Sequence, residues 1–218
     1  EDIEHNLTTT ETQIRKAADR GARLICVPEN FAFLRTSQAT PELYVSLDHE
    51  IVGRMKALAA ELSVDVILGS IPEPSTVGRK VHNTSVYIDR AGEVRGAYRK
   101  MHLFDIDIPG QVTLRESDTI TPGAEPVLVD AGLGPVGLSI CYDLRFPELY
   151  RRLRMDGARV LTCPAAFTLQ TGKDHWFPLL RARAIENQCY VLAAGQSGKH
   201  GGKRDSYGKS VIIDPWGI

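Results

Sequence analysis

What the sequence lacks narrows its class before any motif is read. No apolar run in its 218 residues approaches the ~20 that a membrane-spanning helix needs, and no charged-then-apolar segment opens it. It reads as a cytoplasmic protein with no membrane partner. Neither sign of charge is in excess, since 26 Lys and Arg against 27 Asp and Glu leave −1. With no basic surplus to neutralise a phosphate backbone, nucleic acid is not an expected partner. Cys-x-x-Cys spacing is also missing. Cys26, Cys141, Cys163 and Cys189 lie far apart, each in or beside an apolar stretch where a reduced thiol packs like a small hydrophobe. Neither a zinc site nor a disulfide framework is expected. What remains, 43% hydrophobic and 24% charged residues with 19 Gly and 12 Pro, is the composition of one compact domain covering 1–218.

Periodicity orders that domain. Ile3, Leu7, Ile14 and Ala18 recur at helical spacing, with Gly21 as a stop before a strand at residues 23–27. A second helix is predicted to start near Pro41 and to carry the stripe Leu43, Leu47, Ile51, Met55, Leu58 and Leu62, leading into a strand at 64–70. Residues 81–89 and 93–98 read as a hairpin with Gly92 in its turn. Residues 101–125 hold Pro109-Gly110 and Pro122-Gly123 and read as a long ordered loop. Strands follow at 134–140, 160–163, 190–195 and 209–214, with helices opened by Pro147 and by Pro178. Helices alternating with strands around hairpins imply a layered α/β domain.

Three charged or nucleophilic residues stand just past strand ends. Cys141 follows the apolar run Val136–Ile140 shortly before a helix, where backbone N–H groups and a helix N-terminus favour a thiolate and an oxyanion. An unassisted thiol is only ~3% ionised at pH 7, so activation matters. None of the six histidines sits in an obvious base motif. A carboxylate made more basic by burial can replace histidine, and a lysine can lower the thiol's pKa. Glu29 and Lys100, each at a strand exit, are the candidates. From residue type alone, Cys141 is equally readable as a core cysteine, and Glu29 and Lys100 as solvated loop charges.

Context decides between these readings. Val27-Pro28-Glu29-Asn30, the run from Tyr98 to Phe104 and the run from Ile140 to Glu148 resemble, in order, the three catalytic motifs of the nitrilase (carbon–nitrogen hydrolase) superfamily. Ile108-Pro109-Gly110, Glu116-Ser117, Thr121-Pro122-Gly123, His175-Trp176, the run from Arg181 to Asn187 and Ser206-Tyr207-Gly208 extend the match over nearly the whole chain. The resemblance implies an α/β fold, a four-layer α-β-β-α sandwich. It also implies Cys141 as nucleophile, Glu29 as general base, Lys100 as oxyanion stabiliser and Glu116 as a second glutamate positioning substrate or Lys100. The Tyr142 N–H is expected to share the oxyanion. Arg145 is read as a partner of Glu148 that orders the nucleophile turn, or alternatively as the contact for a substrate carboxylate. Phe167, Trp176 and Tyr142 are candidate pocket walls, although aromatic residues beside apolar runs are more often core. Arg183 with Glu186, His102 and Tyr207 are read as scaffold.

Within the superfamily, Arg145–Leu149, Arg181–Glu186, Gly198-Lys199-His200 and Ser206–Ser210 most resemble deaminated-glutathione amidases, which implies 2-oxoglutarate and cysteinylglycine as products. The ω-amidases acting on 2-oxoglutaramate and a non-catalytic binding module are the alternatives. The resemblance implies a small-molecule amide as substrate, no metal or organic cofactor, and a homodimer or higher homo-oligomer. It further implies a chain truncated at both ends, with a strand before Glu4 and more strands after Trp216-Gly217.

Overall fold

The computed structural model describes residues 2–34, 43–108, 112–201 and 205–218. Helix α1 (Ile3–Asp19) opens on Asp2, whose carboxylate accepts the His5 N–H at 3.0 Å, and it buries Leu7 and Ile14. Gly21, at φ +88°, turns the chain as expected toward β1 (Leu24–Cys26). The second helix departs from expectation. Helix α2 spans Glu50–Leu62, so Leu43 and Leu47 precede it, and Pro41 lies outside the described residues. A cap explains the late start: His49 is extended, and its ring Nδ1 accepts the Ile51 N–H at 3.2 Å. Leu43 and Leu47 still pack on the core that holds Ile51 and Met55. The apolar spacing reported their burial but not their conformation.

Strand β2 (Asp65–Pro74) runs longer than predicted, and β3 (Val81–Ile88) with β4 (Val94–Arg99) forms the expected hairpin, with Gly92 at φ +81° in its turn. The first sheet has the order β1-β2-β3-β4, parallel between β1 and β2 and antiparallel elsewhere. Its side chains alternate between two cores, as the pleat requires. Val66, Leu68, Val86 and Ile88 join α1 and α2 residues, whereas Ile67, Tyr87 and Tyr98 join Val129, Val136 and Leu138.

Residues 101–125 are more ordered than the expected loop. They contain the hairpin β5 (Asp105–Ile108) and β6 (Val112–Arg115), then a 3-10 turn at Glu116–Asp118. Four-residue strands are too short for period-two alternation to show in the sequence, and Pro109 and Gly110 lie outside the described residues. Next come β7 (Leu128–Ala131), β8 (Gly134–Gly137), α3 (Pro147–Met155), β9 (Val160–Thr162), α4 (Leu169–Asn187) and β10 (Tyr190–Ala193). A small hairpin, β11 (Ser197–Lys199) and β12 (Asp205–Tyr207), precedes β13 (Val211–Ile213). The second sheet has the order β13-β10-β9-β8-β7. Strand β7 was not anticipated, and β8 is shorter than the predicted 134–140. Pro147 opens α3 as predicted, but Pro178 lies inside α4, whose N-cap is Thr168. That proline lacks the N–H that would bond to the Asp174 carbonyl, and the surrounding helix tolerates the loss.

Leu149, Tyr150 and Leu153 of α3 and Trp176, Leu180 and Ala184 of α4 bury against Leu138, Leu161 and Val191. At roughly 1.5–3 kcal/mol for each fully buried large side chain, this face fixes α3 and α4 on the second sheet. The layers are therefore α1 with α2, the first sheet, the second sheet, and α3 with α4. This is the α-β-β-α sandwich that the sequence led us to expect.

Candidate active site

Glu29 leaves β1 through Val27 and Pro28, and the Val27 N–H still bonds to the Ile67 carbonyl at 3.0 Å. Neighbouring β2 passes so close that a Cβ on Gly69 would lie 2.0 Å from the Pro28 oxygen, which only glycine tolerates. Asn30, at φ +55°, donates its N–H to Ser70 Oγ, and Gln196 Nε2 donates to the Glu29 carbonyl at 3.0 Å. The turn is thus held from both sheets. Glu29 is 3% exposed and takes the Lys100 ammonium at 3.2 Å on Oε1 and the Ala166 N–H at 2.7 Å on Oε2.

Lys100 leaves β4 with its N–H on the Asn83 carbonyl at 2.8 Å and its own carbonyl taking the Gly123 N–H at 2.9 Å. Its Nζ is 3.0 and 2.9 Å from the two Glu116 oxygens, and the residue is 2% exposed. Burial alone lowers a lysine pKa, but the charges of Glu116 and then Glu29 outweigh it and hold Lys100 well above the ordinary value. An ammonium clasped by two carboxylates therefore stays charged.

Cys141 begins a five-residue 3-10 turn, Cys141–Arg145, rather than a regular helix, and it sits at φ +48°, uncommon for a residue with a Cβ. Its N–H bonds to the Pro164 carbonyl at 2.9 Å. Burial pushes its thiol well above the usual range. Glu29 adds to the rise, while Lys100 and the Ala166 N–H oppose it. This reverses the expectation that the strand end favours a thiolate, because the turn is short and desolvation outweighs it. The resting thiol keeps its proton beside a carboxylate and an ammonium.

The remaining expected site residues divide. Tyr142 packs edge-on against Phe104 and Phe146, with centroids 5.0 and 5.6 Å away. The expected Arg145–Glu148 pair is not formed; among the described residues Arg145 has no acidic partner. Its guanidinium lies 5.7 Å from the Tyr142 ring centroid and 5.6 Å from that of Phe167, and Nη2 donates to His175 Nδ1 at 3.2 Å. Trp176 does not line an open wall: it is fully buried, gives its Nε1–H to the Lys209 carbonyl and backs Phe167 at 5.2 Å. Arg183 acts as scaffold, donating twice to the Leu144 carbonyl in the Cys141–Arg145 turn and once to Glu186. Tyr207 packs so close to α4 that a Cβ on Gly172 would be 2.4 Å from it.

Two contributors went unseen in the sequence. Asp143, fully buried, accepts from the Tyr98 hydroxyl at 2.8 Å, the Ile140 N–H at 2.8 Å, the His102 N–H at 3.1 Å and the His102 ring at 2.7 Å. It thereby ties the Cys141–Arg145 turn to the exit of β4, with His102 stacked on Phe146 at 3.7 Å. Asn83 donates to Glu29 Oε1 at 2.9 Å and approaches Glu116 Oε1 at 3.4 Å. The available signal was a run of polar residues, His82 to Ser85, inside a predicted strand, where buried polar groups need partners. Among the described residues, no three His, Cys, Asp or Glu side chains are grouped to hold a metal ion, and no helix is long and apolar enough to cross a membrane.

Fold and cluster together define a class: a two-sheet sandwich with a half-buried thiol set against a carboxylate–ammonium–carboxylate cluster. The chain belongs to the carbon–nitrogen hydrolase family, whose model matches residues 1–218. It is 45% identical to the deaminated glutathione amidase of Dictyostelium discoideum over 98% of this chain and 76% of that protein. The structure of the Caenorhabditis elegans NitFhit protein superposes with a TM-score of 0.92 at 42% identity, covering 99% of this chain and 53% of that one. This chain therefore spans about half of that longer protein. A variant amidase from Nesterenkonia sp. AN1, showing Michael addition of acrylamide at its active-site cysteine, matches at a TM-score of 0.84 and 28% identity over 100% of this chain and 82% of that one. The chain is thus a carbon–nitrogen hydrolase.

Proposed function

We propose that this chain hydrolyses the amide bond of deaminated glutathione through a thioester on Cys141. The observation that carries the reading is the Lys100 ammonium, held by Glu29 and Glu116 and close enough to Cys141 to oppose the rise in its thiol pKa. A thiol that keeps its proton needs a base at the moment of attack. Glu29 takes that proton as Cys141 Sγ bonds to the amide carbon, and Lys100 meets the oxygen that becomes negative. Collapse breaks the C–N bond, and protonated Glu29 returns its proton to the leaving amine of cysteinylglycine. Water then gives a proton to Glu29 and attacks the thioester, releasing 2-oxoglutarate. The proton on Glu29 returns to Cys141, restoring the thiol.

The substrate assignment rests on the deaminated glutathione amidases among the relatives and on Arg145, a cation with no acidic partner among the described residues, held against two rings. A substrate carboxylate supplies the missing anion, and a guanidinium binds it bidentately. A comparison of kcat/KM on deaminated glutathione and 2-oxoglutaramate tests this. Preference for the former is expected, and a large preference for the latter moves the chain to ω-amidase activity. If wild type and Cys141→Ala release product equally, the nucleophile assignment fails.

A further inference from the structure

We propose that Asn83 is a positioning residue for this reaction: its side-chain amide bridges the two carboxylates that share Lys100 and fixes the Glu29 carboxylate for proton exchange with Cys141. This rests on the reading of Glu29 as the base and goes beyond it, because Asn83 acts through Glu29.

Asn83 lies on β3 and is 5% exposed. Its backbone carbonyl takes the Lys100 N–H at 2.8 Å, while its Nδ2 donates to Glu29 Oε1 at 2.9 Å and reaches Glu116 Oε1 at 3.4 Å. One residue therefore touches the ammonium-bearing residue and both of its carboxylates. The Lys100 ammonium is a compact charge that leaves a carboxylate free to pivot about it, whereas a planar amide donor adds direction. With Asn83 and Lys100 on Oε1 and the Ala166 N–H on Oε2, Glu29 is held at both oxygens, from the first sheet and from the second.

The orientation of the amide points the same way. Asn83 Oδ1 is buried and accepts from no protein donor among the described residues. Leaving a buried acceptor unpaired is costly, so the amide is turned for the sake of its NH2 group, toward two oxygens that only a donor can face. The next residue serves a separate network: Thr84 donates to Glu73, which pairs with Arg99 at 2.8 Å. Thr84 therefore offers a control on the same strand. The charged groups that Asn83 touches are Glu29 after β1, Lys100 after β4 and Glu116 on its 3-10 turn, with His82 beside it on β3, and Glu29 and Lys100 in turn act on Cys141.

The test compares wild type, Asn83→Asp, Asn83→Ala and Thr84→Val. Cys141 alkylation by iodoacetamide is followed by mass spectrometry between about pH 6 and 9, alongside hydrolysis of deaminated glutathione. Asn83→Asp keeps the shape, so it remains informative if the alanine variant folds poorly. Both Asn83 variants should alkylate roughly tenfold or more slowly near neutral pH and lose about 10²-fold in kcat, with KM within about threefold. In Asn83→Ala the acid limb of the pH profile should move up, because a carboxylate that loses a donor holds its proton to higher pH. Thr84→Val should lower Tm and leave the profile in place. Wild-type alkylation and an unmoved profile in folded Asn83→Asp would overturn the inference, as would the same changes in Thr84→Val. If wild type hydrolyses no amide while the Asn83 variants still slow alkylation, the substrate reading fails and the positioning role stands.

Discussion

The two sheets contribute different things to the site. The first sheet supplies fixed charge and its support: Glu29 after β1, Asn83 on β3 and Lys100 after β4, all nearly buried. The second supplies the thiol of Cys141 and the Ala166 N–H, which is neutral chemistry carried on turns. Buried charges depend on one another far more than a half-buried neutral thiol depends on its neighbours. Loss of a first-side charge should therefore cost both fold and activity, and loss of the Cys141 thiol should cost activity alone.

The largest expected effect tests the charged side. Lys100→Met leaves Glu29 and Glu116 without their shared cation, so unfolding in denaturant should show a loss of about 3–5 kcal/mol together with near-complete loss of turnover. A variant with wild-type stability would break the contrast between the sheets. Glu29→Gln comes next, with kcat falling by roughly 10²–10⁴. Its thiol should also respond. The main cause of the raised Cys141 pKa is burial, which remains, but the Glu29 charge adds to it. The thiolate absorbance step attributable to Cys141 should therefore lie above that of an ordinary thiol in wild type and move down in Glu29→Gln. Subtracting the Cys141→Ala titration isolates that step.

A pair of glycines adds a further contrast, with the smallest effect at Gly53. Gly69→Ala drives a Cβ into the Pro28 carbonyl beside Glu29, so both kcat and Tm should fall. Gly53→Ala on α2 meets nothing within 4 Å and should stabilise by about 0.5–1 kcal/mol without touching kcat.

The same contrast separates what the sequence made legible from what it hid. Glu29, Lys100 and Cys141 each stand just past a run read as a strand, so local pattern alone marked them as strand exits. A layered α/β domain followed from helices and strands alternating around the β3–β4 hairpin, and the four-layer sandwich from the motif resemblance. The roles of Asn83 and Asp143 were hidden because they depend on partners distant in sequence: Asn83 meets Glu29 across 54 residues, and Asp143 meets Tyr98 across 45. Trp176 and Arg145 misled for a related reason. Residue type gives an aromatic or a cation but not its exposure or its partner, and these were settled by the Lys209 carbonyl and by the Tyr142 and Phe167 rings. The start of α2 depended on a histidine cap, which hydrophobic spacing does not register.

The central claim is that Cys141 carries the acyl group. Rapid quenching of wild type with deaminated glutathione, followed by mass spectrometry of the peptide bearing Cys141, tests it most directly. A 2-oxoglutaryl adduct on Cys141 that forms during turnover and is absent from Cys141→Ala is the expected result. Turnover by Cys141→Ala at the wild-type rate, with no adduct on any cysteine in either protein, would contradict it.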